Sequence, residues 1–117
     1  MSDMNVVVLA GRLVADPELT QVGENSVANF AIAVHDFKGG EEFTNFFDLS
    51  AWGKLAETVS TYLVKGRWVI VRGKLRHETW ENEGQKRSRV RVLAQDVQML
   101  PVGSKPETAE VAEEIPF

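Results

Sequence analysis

Two segments in the second half of the sequence carry a basic residue at every second position. The six residues are Arg72, Lys74 and Arg76 in the first segment and Arg87, Arg89 and Arg91 in the second. If both segments are β-strands, each series lies on one face, because side chains two positions apart in a strand point the same way. Two such rows of cations can neutralise a chain of phosphate groups and release its counterions.

Aromatic residues extend the same pattern. Trp80 continues the spacing of the first basic series, and Phe46 and Trp52 share a strand face with Asp48 and Ser50. Exposed rings stack on nucleic-acid bases for ~1–3 kcal/mol per base, whatever the sequence. Rows of cations beside rings therefore favour a surface that binds a single-stranded nucleic acid.

A purely structural interpretation of these residues stays open. Basic strand faces are often only solvated surface or protection of a sheet edge, and aromatic residues in strands are more often buried than exposed. We expect Trp68 in the core or in a subunit interface. Four further aromatic residues are predicted to lie in the core: Phe30, Phe43, Phe47 and Tyr62.

The charge distribution predicts two different partners. The chain has a net charge of −4, yet residues 65–91 contain nine of its 13 basic residues and only three glutamates. Residues 105–117 contain one basic residue and four glutamates. A basic segment followed by an acidic tail indicates one partner of each charge.

Catalytic and metal-binding signatures are weak. The chain has no cysteine, and neither His35 nor His77 has neighbours at metal-ligand spacing. The sequence contains no phosphate-binding loop and no serine nucleophile motif. We therefore predict a protein that is not an enzyme and that has no metal and no cofactor.

Turn signals divide the sequence into five predicted strands and one predicted helix. The strands are residues 6–14, 27–35, 43–52, 68–77 and 87–100. Residues 81–84 form a hairpin loop between the last two strands, and Gly11 predicts a bend or a bulge in the first. Helical spacing predicts the helix over residues 54–65. Its apolar stripe is Leu55, Val59, Tyr62 and Leu63.

Three strands, a helix and two strands, in this order, predict an all-β fold of the OB-fold type, a five-stranded Greek-key β-barrel with one short helix. Another small barrel, or a sandwich capped by a helix, would give the same periodicity. Residues 1–101 form the predicted domain, and residues 102–117 form a short linker and a disordered acidic tail. The lack of a long apolar segment and of a secretion signal predicts a soluble cytoplasmic protein with no membrane partner.

The last five residues have a composition that another protein can recognise. A basic pocket can bind the terminal carboxylate while a neighbouring hollow takes the phenylalanine ring. A frayed, solvated terminus is the alternative. The predicted partner-binding tip is Glu113, Glu114, Ile115, Pro116 and Phe117.

Nine short segments, taken together and in this order along the chain, identify a protein family far more specifically than any one of them does. They are NVVVLAGRL at 5–13, DPE at 16–18, VANF at 27–30, WGKLAE at 52–57, YLVKG at 62–66, VRGKLR at 71–76, Trp80, QML at 98–100 and IPF at 115–117. On these segments the chain resembles the bacterial single-stranded DNA-binding protein family. The resemblance covers about residues 4–100 and resumes at the C-terminus.

The resemblance implies an OB-fold homotetramer, with a dimer as the alternative, that coats exposed single strands of DNA during replication, recombination and repair. The tip would recruit proteins of those processes, and the protein would lie in the cytoplasm with the nucleoid. The base-stacking rings would be Phe37, Phe46, Trp52 and Trp80. The phosphate contacts would be Lys54, Arg72, Lys74, Arg76, Arg87, Arg89 and Arg91.

Three positions depart from the family pattern. Phe37 and Phe46 stand where well-known members have tryptophan, and Asp48 stands where the family often has a basic residue. We expect somewhat weaker stacking at the two phenylalanines, and repulsion of phosphates at Asp48 unless that carboxylate is paired. Two other functions stay open. One is an OB-fold replication-accessory module with weak DNA binding, and the other, which the residues favour less, is a nuclease on the same fold.

Overall fold

The computed structural model describes residues 3–101, which form six strands and one helix. The elements are β1 (Val7–Leu13), β2 (Glu18–Val22), β3 (Asn25–Lys38), β4 (Glu41–Trp52), α1 (Lys54–Tyr62), β5 (Trp68–Asn82) and β6 (Gln85–Met99). The five predicted strands correspond to β1 and to β3 through β6, and the helix lies between β4 and β5 as predicted. With nine residues, α1 is the one helix of this described part and is too short to cross a membrane.

Five of these strands close into a barrel. β1 pairs with β5, β5 with β6, β6 with β4 and β4 with β3, and β3 returns to β1 at Arg12 and Leu13. The β4–β6 pairing is parallel, whereas the other pairings of the ring are antiparallel. A closed five-stranded barrel with one short helix is the OB-fold, so the predicted fold class is confirmed.

The additional strand, β2, lies outside this ring and pairs along β3. Its ladder runs from Glu18 opposite Asn29 to Val22 opposite Asn25. All five side chains of β2 are exposed. No apolar alternation marks this strand in the sequence, because a strand without a buried face needs none.

Gly11 pairs with Val69 of β5 and directly precedes the two residues where β1 meets β3. A Cβ atom at this position would lie 2.5 Å from the carbonyl oxygen of Ala33, so a side chain would keep the two strands apart. The β1–β5 register runs through Gly11 without a shift, so the bulge predicted there as one alternative is wrong. The register shift of the sheet lies instead between Arg72 and Gly73, in the pairing of β5 with β6.

The helix packs on β3 and β4 and completes the core. Ala56 and Val59 are buried against the barrel. The helix ends three residues before its predicted end, because Leu63 adopts an extended backbone and places its side chain in the core. The side chain of Tyr62 is 61% exposed, so its predicted place in the core is wrong.

The other predicted core aromatics differ in outcome. Phe30 is buried, and Phe47 packs partly buried against the core. Phe43 is 47% exposed, which contradicts the prediction, because β4 starts outside the barrel and its first six residues are all exposed. Trp68 is partly buried, and its ring centroid lies 5.7 Å from the guanidinium carbon of Arg12.

Two long hairpins extend from the barrel. The β3–β4 hairpin turns at Gly39 and Gly40, and the β5–β6 hairpin turns at Glu83 and Gly84; all four residues have positive φ. Nearly all side chains in the outer part of each hairpin are exposed on both faces. We term these outer parts the β3–β4 arm (residues 35–46) and the β5–β6 arm (residues 74–90).

Candidate nucleic-acid interface

The two predicted basic rows meet on one face of the β5–β6 hairpin. The register places Arg76 opposite Arg91, and Trp80 opposite Arg87. Directly opposed residues of an antiparallel pair point to the same side of the sheet. This face therefore carries cations from both strands together with one tryptophan.

The remaining predicted phosphate contacts lie at the margins of this face. Lys74 is exposed on β5 opposite Leu93, and Arg72 is exposed beyond the register shift, opposite Asp96. Lys54 is exposed at the first residue of α1. The structure thus groups the cations of the β5–β6 arm and leaves Arg72 and Lys54 on neighbouring parts of the surface.

All four predicted stacking rings are exposed. The exposed fractions are 65% for Phe37, 67% for Phe46 and 42% for both Trp52 and Trp80. The β3–β4 register puts the first three rings on one face of that hairpin, whereas Trp80 lies on the β5–β6 arm.

The pairing of β4 with β6 joins these two faces into one surface. It aligns Leu49 with Val92, and Ser50 with Leu93. Leu49 and Val92 are buried in the core, so Ser50 and Leu93 point away from it. The face of the three rings is therefore continuous with the basic face, and we term the combined surface the outer face.

A groove of about 210 Å³ lies where the rings of the outer face meet its cations. Its lining includes Trp52 from β4, Arg76 from β5 and Arg91 from β6. A neighbouring depression of about 430 Å³ is lined by Trp52 and Arg76 together with Leu55. Trp52 thus adjoins the basic face although it belongs to the other hairpin.

Hydrogen bonds hold Arg91 between β6 and β3. Its Nη2 donates to Asn29 Oδ1 at 2.8 Å, and the Ser50 hydroxyl donates to the same oxygen at 3.2 Å. Its Nε is buried without a hydrogen-bond partner among residues 3–101. The side chain of Arg91 is 16% exposed, against 48% for Arg89. Arg91 therefore presents less of its charge to solvent than Arg89 does.

A carboxylate lies in the middle of the basic face. Glu78 Oε1 accepts a hydrogen bond from Arg89 Nε at 3.1 Å and lies 3.9 Å from Arg91 Nη1. The guanidinium carbon of Arg89 lies 5.4 Å from the ring centroid of Trp80, a cation–π distance. In the sequence, the one indication that Glu78 lies on this face is its position, two residues from Arg76 and two from Trp80.

Other polar groups lie on the β3–β4 part of the outer face. Asp48 is exposed, and no ion pair in the described part of the chain involves it. His35 Nδ1 lies 3.0 Å from Glu42 Oε1 and 3.1 Å from Thr44 Oγ1. Asp48 would repel phosphates less if it formed an ion pair with a cation, and no such cation is found among residues 3–101.

Two further predictions concern a metal and the tip. Residues 3–101 contain no group of three His, Asp or Glu side chains placed to hold a metal ion. The predicted partner-binding tip, residues 113–117, lies outside the described residues.

Sequence comparison identifies relatives over most of the chain. The Single-strand binding protein family matches residues 4–100. A single-stranded DNA-binding protein of Treponema pallidum is 44% identical over 106 residues, which cover 86% of this chain and 60% of that relative. A single-stranded DNA-binding protein of Aquifex aeolicus is 39% identical over 121 residues, which cover 97% of this chain and 82% of the relative.

Structural comparison agrees with the fold. The chain is similar to a solved structure described as Plasmodium falciparum SSB complex with ssDNA, with a TM-score of 0.80 and 22% sequence identity. The match covers 86% of this chain and 98% of that one, and at this identity it supports the fold alone. The sequence matches establish the family: the chain belongs to the single-strand binding protein family.

Proposed function

We propose that this protein binds single-stranded DNA without sequence preference and, as a non-enzymatic binding protein, coats strands exposed during replication, recombination and repair. The observation that carries the proposal is the outer face, where four exposed rings share one surface with cations from two strands. The two relatives named above are single-stranded DNA-binding proteins, and the similar solved OB-fold is a complex with ssDNA.

The rings of the outer face supply binding that does not depend on sequence. Every base has a π-face, so an exposed ring can stack on any of the four for ~1–3 kcal/mol. In this proposal the strand runs over the β3–β4 part, past Trp52, and on to the β5–β6 arm. The stacking rings along this path are Phe37, Phe46, Trp52 and Trp80.

The cations of the same face bind the phosphates. The exposed cations of the β5–β6 arm include Arg76, Arg87 and Arg89. Each phosphate that they neutralise makes log K fall more steeply with log salt, adding about 0.7 to the magnitude of the slope for a single strand. Trp52 and Arg76 line one groove, so that a base and its own phosphate can bind side by side there.

A titration with oligo-dT tests this function. We expect strong quenching of tryptophan fluorescence, because Trp52 and Trp80 are exposed on the outer face, and weaker binding at the higher of two salt concentrations. Absence of quenching by a protein that is folded by circular dichroism would contradict the proposal.

We further propose that the protein is a homo-oligomer, a tetramer or, alternatively, a dimer. Within the described residues, β1 pairs with β5 along one edge and meets β3 only at Arg12 and Leu13. Exposed Met4, Val6 and Val8 accompany this open edge. A second copy of β1 would pair the edge and bury these side chains. Sedimentation equilibrium measures the mass of the assembly directly. A monomer at all protein concentrations would contradict the proposed homo-oligomer.

We also propose that residues 113–117 bind proteins of replication, recombination and repair, and that the protein acts in the cytoplasm with the nucleoid. Deletion of residues 115–117 should abolish binding of such proteins. It should leave oligo-dT affinity unchanged or slightly higher, because an acidic tail competes for the basic face. A truncated protein that still binds its protein partners in a pull-down would contradict this role.

The second candidate is a replication-accessory module that binds proteins more than DNA. Asp48 and Glu78 favour it, because both are carboxylates on the surface that would face phosphates. Such a module would show little quenching with oligo-dT while its tip still bound a protein partner. The same titration therefore separates the two candidates.

A further inference from the structure

Glu78 places a carboxylate where the cations of the outer face are densest. It lies opposite Arg89, two residues from both Arg76 and Trp80 on its own strand, and 3.9 Å from Arg91 Nη1. Arg89 and Arg91, two of the predicted phosphate contacts, are therefore partly neutralised within the protein itself.

The ion pair of Glu78 with Arg89 is exposed enough to exchange. The two side chains are 39% and 48% exposed, and solvent-exposed ion pairs of this kind contribute little stability. An arginine can bind a phosphate through two parallel hydrogen bonds, which makes the phosphate an effective competitor. Once Arg89 has moved to a phosphate, Glu78 is left as a carboxylate beside the bound strand.

We propose that Glu78 competes with the phosphates of the strand for Arg89 and thereby limits the affinity of the outer face. The inference rests on the proposed binding of single strands and adds a residue that tunes it. Glu78 is a positioning residue, because it acts through Arg89. By accepting the hydrogen bond from Arg89 Nε, it also favours the guanidinium position beside the Trp80 ring, which covers part of that ring until the exchange occurs.

The Glu78→Gln substitution tests the competition, since it keeps the shape of the side chain and removes its charge. The matched control is Glu81→Gln, which removes the same charge from the opposite face of β5, where Glu81 lies across from Lys86 in the strand register. Anisotropy of a labelled oligo-dT, measured over a series of salt concentrations, gives the affinity and its salt slope. Thermal unfolding verifies that both variants fold.

We expect Glu78→Gln to bind about two- to fivefold more tightly than wild type at low salt, as loss of an exposed ion pair allows. The salt slope should steepen by up to about 0.7, because Arg89 becomes fully available to a phosphate. Glu81→Gln should bind like wild type. The tryptophan fluorescence of the free protein should also change in Glu78→Gln, because Arg89 is no longer held beside the Trp80 ring.

An Arg89→Ala background identifies the route of the effect. There, Glu78→Gln should change the affinity much less than in wild type, because the competition acts through Arg89. Two outcomes would overturn the inference: an equal gain in affinity in both backgrounds, or a Glu78→Gln variant that binds no more tightly than Glu81→Gln. In either case, binding of oligo-dT by the wild-type protein would leave the proposed function intact. A wild-type protein that does not bind oligo-dT would refute the proposed function and this inference with it.

Discussion

The β3–β4 arm and the β5–β6 arm share an architecture and differ in chemistry. Both are outer parts of long antiparallel hairpins with side chains exposed on both faces. The β3–β4 arm carries Phe37 and Phe46 on the outer face, with His35 beside Glu42. The β5–β6 arm carries a single ring, Trp80, among arginines. One arm therefore offers mainly rings, and the other mainly charge.

This difference separates two contributions to binding. Stacking on rings depends little on ionic strength, whereas each phosphate contact adds to the salt dependence. Substitutions of rings should therefore lower the affinity at all salt concentrations, and substitutions of outer-face cations should change the slope. The comparison becomes sharpest at two residues that break this division: Trp80, the ring on the β5–β6 arm, and Asp48, a carboxylate on the β3–β4 part of the outer face.

Trp80→Ala has the largest expected effect. Loss of one stacking ring should weaken oligo-dT binding by ~1–3 kcal/mol, roughly 5- to 150-fold, while the salt slope stays nearly constant. Anisotropy of labelled oligo-dT at several salt concentrations measures both quantities. The matched control is Phe43→Ala, an exposed ring on the other face of β4, which should bind like wild type. Wild-type affinity in Trp80→Ala would show that the ring is not a stacking platform.

Arg87→Ala has an intermediate expected effect. Arg87 lies opposite Trp80 on the outer face, so its loss should reduce the magnitude of the salt slope by about 0.7 and weaken binding mainly at low salt. The control is Lys86→Ala, which removes the neighbouring cation from the other face, opposite Glu81. If both variants changed the slope equally, net charge rather than position on the outer face would govern binding.

Asp48→Asn has the smallest expected effect and the opposite sign. Asp48 is exposed and has no ion-pair partner among residues 3–101, so removal of its charge should tighten oligo-dT binding by less than ~1 kcal/mol. The gain should fade as salt screens the charge. Titrations at low and high salt measure it. Glu41→Gln, on the other face of β4, is the control. Equal affinities of Asp48→Asn and wild type at low salt would mean that the strand does not pass Asp48.

Periodicity predicts much of this fold because most barrel strands have one buried face. Val69 and Val71 are buried and alternate with partly buried or exposed neighbours, and α1 buries one stripe. β2 is not predicted, because none of its side chains is buried and the strand therefore lacks an alternating apolar pattern. Phe43 and Tyr62 are misassigned because residue type does not reveal how far a strand runs beyond the barrel, or which residue of the last helical turn faces the core.

Alternation also predicts which residues of a single strand share a face, because parity along a strand does not depend on its partners. The contacts within the outer face are a different matter. The hydrogen bond of Arg91 with Asn29 joins residues 62 positions apart and depends on how β3 lies against β6. The pairing of Glu78 with Arg89 depends on the register that follows from the turn at Glu83 and Gly84. Alternation along a single strand shows neither contact.

The exposure of both arms has a consequence for the way binding free energy is partitioned. Their strands form ladder hydrogen bonds but bury little apolar surface, and such segments open locally at lower free energy than a barrel core. Amide hydrogen exchange should accordingly be faster near Gly39 and Gly84 than at Leu49 or Val69. A DNA strand lying across both arms would slow exchange in both together, and lost conformational entropy would offset part of the stacking. Affinity would then depend on the stiffness of the free hairpins as well as on the contacts that they make.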